Sequence, residues 1–282
     1  MSANQRHGEQ RVYLVANGSG SAGKTTLALA LAAEHAAAGG TVCVVDVDPQ
    51  GNATTGSGAD TKRPGIAHAL DAARANNPDD FPGTPEGEIQ GYLVPLVTRL
   101  LQDTTWGYQV LGSGTRAHAQ RAVNTLNGAE QQQHLSRAVR ALPHRTVIID
   151  SHGDLGNMTR AAIRAADHVL AVSPPAAKET AGIPELIAEV DQLRTEGDTQ
   201  AQVDALVPTM VRPRERMARS FLAAMSTRWG PILTPPIRFA AVAGEATFAR
   251  QPVTLYAPDS GVAEDHRAVY AHLVAKGILC RN

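Results

Sequence analysis

The sequence predicts an α/β fold, a mostly parallel sheet flanked by helices on both faces, and three observations predict it. Arg11 to Asn17 (RVYLVAN) and Thr41 to Asp46 (TVCVVD) read as strands enclosing an alanine- and leucine-rich helix, Lys24 to Ala38. That βαβ unit implies a parallel sheet with a right-handed crossover. The run TVCVVD, like TVIID at 146–150 and HVLAV at 168–172, is nearly continuously apolar, as expected of strands covered on both faces. Between the first strand and the helix lies a glycine-rich loop, GSGSAGKT from Gly18 to Thr25.

Each further element follows from pattern. Gly39-Gly40 stops the first helix. Residues 76–88 (NNPDDFPGTPEGE) are proline-rich and acidic and read as a surface loop. Ile89 to Leu101 is expected as a helix, Gly107 to Leu111 as a short strand, and Arg116 to Leu142 as helical with a break near Gly128. After the strands at 146–150 and 168–172 come a helix from Lys178 to Thr195 and a strand from Val203 to Met210. A helix from Met217 to Trp229, proline-rich chain at 231–236 and a helix from Val262 to Lys276 complete the chain. With no internal repeat, residues 11–282 are expected to form one domain behind a disordered tail at 1–10.

The 282 residues are 43% hydrophobic and 19% charged with net charge −1, so any contact with nucleic acid or anionic lipid must come from a local patch. Cys43 and Cys280 suggest no disulfide framework, and the polar start MSANQRHGEQ does not read as a signal peptide. No apolar stretch reaches the roughly 18 residues of a membrane span. The expected location is cytoplasmic.

The loop matches GxxxxGK[ST]. Its glycines let backbone N–H groups surround phosphates, while the following helix adds the positive end of its dipole. Lys24 would reach the β- and γ-phosphates and the Thr25 hydroxyl a Mg²⁺ ion. The position between a strand and a helix makes the fold that of a P-loop NTPase. Asp46 and Asp48 stand at the end of the second strand and point the same way by period-two alternation, and Asp150 ends a third strand. Three carboxylates at the carboxyl edge suit a Mg²⁺–triphosphate site, since Mg²⁺ uses few direct protein ligands.

The run NGSGSAGKTTLALALAAEHAAAGGTVCVVDVDPQGNATTG resembles the ParA family of partitioning ATPases, within the class that includes MinD. VIIDSHGDLG, AADHVLAVSPPAAKETAGIPELI and the tail EATFARQPVTLYAPDSGVAEDHRAVYAHLV extend the resemblance from Arg11 to Lys276. No helix-turn-helix precedes the core, so the chain resembles the short kind of ParA. By that resemblance Gly20, Ser21, Ala22, Gly23, Lys24, Thr25 and Thr26 hold the phosphates of ATP, and Thr25 holds Mg²⁺. Asp48 orients or activates the attacking water, and Asp150 acts through the Mg²⁺ shell. The resemblance also implies a nucleotide-sandwich homodimer, non-specific DNA binding, nucleoid association, and slow hydrolysis stimulated by a ParB-like or cargo-adaptor protein.

Three positions depart from the family. Ser19 occupies the place of the signature lysine that reaches the partner subunit's phosphates, as in carboxysome-positioning relatives that also lack it. Of the four lysines, Lys24, Lys62, Lys178 and Lys276, only Lys178 falls in a segment resembling the dimer face. It is either a substitute acting in trans or a solvated lysine at a helix start. Ser151-His152-Gly153 replaces the family's Pro-Pro, and His152 is either catalytic or a bystander. Ile237-Arg238-Phe239-Ala240 replaces the adenine-side Ile-Pro-Arg-Asn run, leaving base contacts there open.

Arg212, Arg214, Arg216 and Arg219 face only Glu215 in VRPRERMARS, and Arg238 and Arg250 are candidates to join them. Such a patch neutralises DNA phosphates without reading sequence; the other reading is a solvated helix face. The tail AHLVAKGILCRN has too few cations for a MinD-like membrane helix. An iron–sulfur reductase would need bridging cysteines that Cys43 and Cys280 do not provide, and a ligase would leave DPQGNATTG unexplained. The expected function is therefore a ParA-like ATPase that partitions or positions cargo. The alternative is an ATP-binding interaction scaffold with impaired dimerisation or hydrolysis.

Overall fold

The computed structural model describes residues 10–18, 22–77 and 86–280. Chain order begins with β1 (Arg11–Ala16), α1 (Lys24–Ala37), β2 (Val42–Asp46), α2 (Asn52–Gly56), α3 (Ile66–Ala75) and α4 (Glu86–Thr98). It continues through β3 (Gln102–Asp103), β4 (Gln109–Leu111), α5 (Arg116–Thr125), α6 (Ala129–Arg140), β5 (Thr146–Asp150) and α7 (Asn157–Ala165). Then follow β6 (His168–Ser173), α8 (Ala177–Thr195), β7 (Gln202–Pro208), α9 (Arg216–Trp229), α10 (Ala241–Phe248), α11 (Val253–Tyr256) and α12 (Gly261–Ala275). A short 3-10 turn at Gly230–Ile232 lies within the proline-rich stretch.

Among the described residues the sheet has seven strands in the order β3-β4-β2-β5-β1-β6-β7, parallel except for the β3–β4 edge pair. The expected fold class is borne out. Alternation along each strand feeds two cores. Val12, Leu14, Val45, Val147 and Ile149 face the layer that includes α3, α6 and α7. Tyr13, Val15, Val44, Ile148 and Leu170 face the layer of α1 and α12. Because both faces are covered, the central strands tolerate no polar alternation, which is why they read as unbroken apolar runs.

Register aligns the strand ends along one edge. Asp46 of β2 pairs with Asp150 of β5, and Val15 of β1 pairs with the same Asp150. Several expectations change in detail. The loop expected at 76–88 ends sooner, because α4 starts at Glu86. Residues 78–85 of that loop, and residues 1–9 of the expected tail, lie outside the described residues. Helices α2, α3, α7, α10 and α11 and the short strand β3 occupy stretches with no element expected of them.

Candidate functional site

The glycine-rich loop leaves β1 and enters α1 at the carboxyl edge of the sheet. At its start, Gly18 meets Gly182 of α8 backbone to backbone: a Cβ built on Gly18 would stand 2.8 Å from the Gly182 Cα. At its end, Gly23 takes φ +82°, a left-handed conformation that favours glycine, and caps α1. The Thr209 hydroxyl donates to the Ala22 carbonyl at 2.8 Å and ties the loop to the chain following β7. Ser19, Gly20 and Ser21 lie outside the described residues. Lys24, Thr25 and Thr26 form the first turn of α1, where backbone N–H groups lack intrahelical partners and the dipole is positive.

Lys24 is buried, 7% exposed. Burial pushes its ammonium below the usual lysine range, against the pull of the Asp150, Asp48 and Asp154 carboxylates. The Thr25 hydroxyl donates to Oδ2 of Asp150 at 2.7 Å. Asp150 is fully buried, and its Oδ1 has no hydrogen-bond partner among the described residues. Burial holds its carboxyl well above the usual carboxylate range, with Asp46 next to it adding repulsion.

Asp46 has a different task from the one its spacing implied. Its Oδ2 accepts the Thr54 N–H at 2.7 Å and the Thr54 hydroxyl at 2.6 Å, while Oδ1 accepts the Asp48 N–H at 3.2 Å. Burial pushes it up to about 6 despite the Thr54 bonds. It therefore anchors α2 rather than facing the loop with Asp48. Asp48 is the more open of the two: its Oδ1 lies 2.9 Å from both the Gln50 N–H and Nδ1 of His152. Gly51, with φ +68°, turns the chain after it and donates its N–H to the Asp48 carbonyl at 2.9 Å.

The donor set suits a Mg²⁺ ion. A hydroxyl, a buried carboxylate with one unpartnered oxygen and a second carboxylate nearby are hard oxygen groups of the kind that orient Mg²⁺ and its waters. Thr25, Asp150 and Asp48 are the residues that could hold it.

On the other side of Gly23 and Thr26 opens a cavity of ≈ 290 Å³ walled by Ile237, Phe239, Ala243, Gly244, Val262 and His266. The run 237–240 whose base contacts were open thus forms one wall. Backbone bonds from the Ile237 N–H to Pro208 (2.7 Å) and from the Phe239 N–H to Val211 (2.8 Å) hold it against the end of β7. A neighbouring cleft of ≈ 680 Å³ gathers Arg212, Arg214 and Arg238 around Phe239. Arg238 is clamped by Asp265 through bonds of 2.6 and 2.8 Å, and Arg212 lies over the Phe239 ring at 4.1 Å.

Arg214, Arg216 and Arg219 are exposed just before and along the first turn of α9. Arg250 is exposed too, with φ +57°, but follows α10, which packs on α2 and α11. Lys178 lies in the first turn of α8, and its side chain lies outside the described residues. Sequence reasoning gave no role to Thr54, Thr209 and Gly182. Thr54 and Gly182 had a signal, their places in the family-like runs DPQGNATTG and AADHVLAVSPPAAKETAGIPELI.

The AAA domain family matches residues 10–203. The chromosome partitioning protein ParA of Myxococcus xanthus is 30% identical over 210 residues, 74% of this chain and 68% of that protein. The chromosome-partitioning ATPase Soj of Thermus thermophilus is 25% identical over 271 residues, 94% of this chain and 96% of that protein. Among solved structures, an ATP complex of a McdA variant from Cyanothece superposes with a TM-score of 0.76 at 16% identity, over 96% of this chain and 98% of that one. At that identity the likeness is one of fold.

Proposed function

The chain belongs to the AAA domain family and, within it, to the ParA-type partitioning ATPases, and from that premise we propose that it binds and slowly hydrolyses Mg²⁺–ATP to partition or position a cargo. The observation that carries this reading is the Thr25–Asp150 bond of 2.7 Å beside a buried lysine at the start of α1.

In this reading the N–H groups at the start of α1, with Gly20 to Gly23, hold the phosphates, and Lys24 neutralises the β- and γ-oxygens. Mg²⁺ bound at Thr25 would neutralise charge building between the β- and γ-phosphates. Asp150 aligns the Thr25 hydroxyl, and Thr26 faces the ribose and base side, where the ≈ 290 Å³ cavity takes the adenine. Asp48 accepts a hydrogen bond from the attacking water and fixes its line of approach. Such positioning and electrostatics supply most of the catalysis in phosphoryl transfer.

Two ATP-bound copies pair as a sandwich dimer, with Lys178 offered across the interface in place of the charge that Ser19 lacks. The dimer sets two copies of Arg214, Arg216 and Arg219 side by side, with Arg250 as a further contact, to bind DNA without sequence preference. A ParB-like or adaptor protein stimulates hydrolysis and releases it. Among the described residues no helix is long and apolar enough to cross a membrane.

A DNA mobility shift with ATP, with ADP and without nucleotide tests this, alongside the Arg216→Ala/Arg219→Ala double variant. Binding with ATP alone is expected, lost in the variant, with about one unit of salt slope per phosphate-contacting arginine removed. A protein that binds ATP but never DNA would instead be the interaction scaffold, and Lys178→Ala that leaves ATP-dependent dimerisation unchanged removes the trans role.

A further inference from the structure

The proposed hydrolysis gives His152 no task, although its ring lies within hydrogen-bond distance of the Asp48 carboxylate. The loop carrying it is fixed from behind: the Ser151 hydroxyl donates to the Val15 carbonyl at 2.9 Å, tying the residue before His152 to β1. From there the ring places Nδ1 2.9 Å from Oδ1 of Asp48. A carboxylate oxygen only accepts, so Nδ1 carries the hydrogen and donates it. Its other nitrogen, Nε2, stands 3.7 Å from Oδ2 of Asp154, so a carboxylate lies on each side of the ring.

We infer that His152 is a positioning residue for Asp48, setting which carboxylate oxygen faces the attacking water. Oδ1 of Asp48 already accepts the Gln50 N–H at 2.9 Å. With the imidazole as second donor, Oδ1 is occupied from two directions and the carboxylate plane is fixed. Oδ2 is then the oxygen left to take a hydrogen bond from water. One donor alone would leave the carboxylate turning about the axis of that bond, and orientation errors of this kind are costly to a reaction governed by alignment. The ring also forms a wall, shared with Pro49, Gln50 and Asp154, of a ≈ 180 Å³ cavity. The Asp48 side chain behind it is only 10% exposed against 39% for His152, so the ring also screens the carboxylate from bulk water. The inference rests on the proposed hydrolysis.

The test is steady-state hydrolysis of Mg²⁺–ATP by the full chain, wild type against His152→Ala and His152→Asn, with affinity for a fluorescent ATP analogue measured in parallel. The asparagine amide offers an N–H near the position of Nδ1. Alanine is expected to lower kcat about tenfold, near 1.4 kcal/mol in barrier, with KM and analogue affinity within about twofold. Asparagine is expected to recover most of the rate. An alanine variant within twofold of the wild-type kcat, or an asparagine variant no better than alanine, overturns the positioning role and leaves the ATPase reading standing. A wild-type protein that binds the analogue without hydrolysing ATP overturns both, and is recognised because it is silent whatever stands at 152.

Discussion

The phosphate end and the base-side cavity meet at Gly23 and Thr26 yet are built by opposite means. The phosphate end is a web of side chains at strand ends, Thr25 on Asp150, Thr54 on Asp46 and His152 on Asp48, all at 2.6–2.9 Å. The cavity has largely apolar walls, and backbone bonds hold the 237–239 segment in place. The first region concentrates charge, where one missing partner leaves a buried ion exposed to its neighbours. The second excludes water and is shaped by volume. Substitutions should accordingly separate rate from affinity along this line.

The widest separation is expected at Asp48. Asp48→Asn should lower ATP turnover by roughly 10²- to 10⁴-fold, the span of general base contributions, with nucleotide affinity changed only a few-fold. A single-turnover assay beside an ATP titration reads both, and parallel losses would break the division of labour. Lys24→Ala removes the cation that faces Asp150 and Asp48, and ATP affinity should fall on the order of 100-fold by equilibrium titration.

Gly244→Leu addresses the cavity alone. A Cβ at Gly244 meets nothing within 4 Å, and replacing a helical glycine favours α10. The variant should fold at least as well, fill the space and weaken ATP roughly tenfold with kcat unchanged. A fall in kcat at unchanged affinity would show that the two regions are one.

Acid–base behaviour sharpens the contrast further. The folded state holds Asp46 at about 6, above its ordinary value of 3.8, so it keeps a proton that the unfolded chain releases. Stability from this group is complete below 3.8 and falls as pH rises towards 6. His266, in the cavity wall, is pushed the other way by burial, so its share is present at neutral pH and lost on acidification. Denaturant unfolding from pH 4 to 7 should therefore show a flatter high-pH decline in Asp46→Asn and a flatter acid decline in His266→Phe.

The same division explains what the sequence made legible. The loop 18–25 and the strands ending at Asp46 and Asp150 are contiguous, and strands buried on both faces leave unbroken apolar runs. Helices α3 and α7 escaped because they are short, 10 and 9 residues, less than the window of roughly 11–18 residues in which a 3.6-residue period is read. The cavity escaped because its walls come from 23–26, 209–210, 237–247 and 262–266, with no local signature. His152 and Asp48 are 104 residues apart, and only the pairing of β2 with β5 brings their loops together.

The contact between Gly18 and Gly182 has a consequence for the mechanical character of α8. A glycine in mid-helix is roughly 1 kcal/mol less favourable than alanine, and Pro184 two residues later lacks the N–H its turn would use. The opening turns of this nineteen-residue helix are thus its least self-sufficient part, and they are the part pressed against the phosphate loop. Their rigidity is borrowed from the loop. Amide hydrogen exchange should be fastest there in the empty protein and slow most on adding ATP, making the start of α8 a built-in reporter of whether the loop is filled.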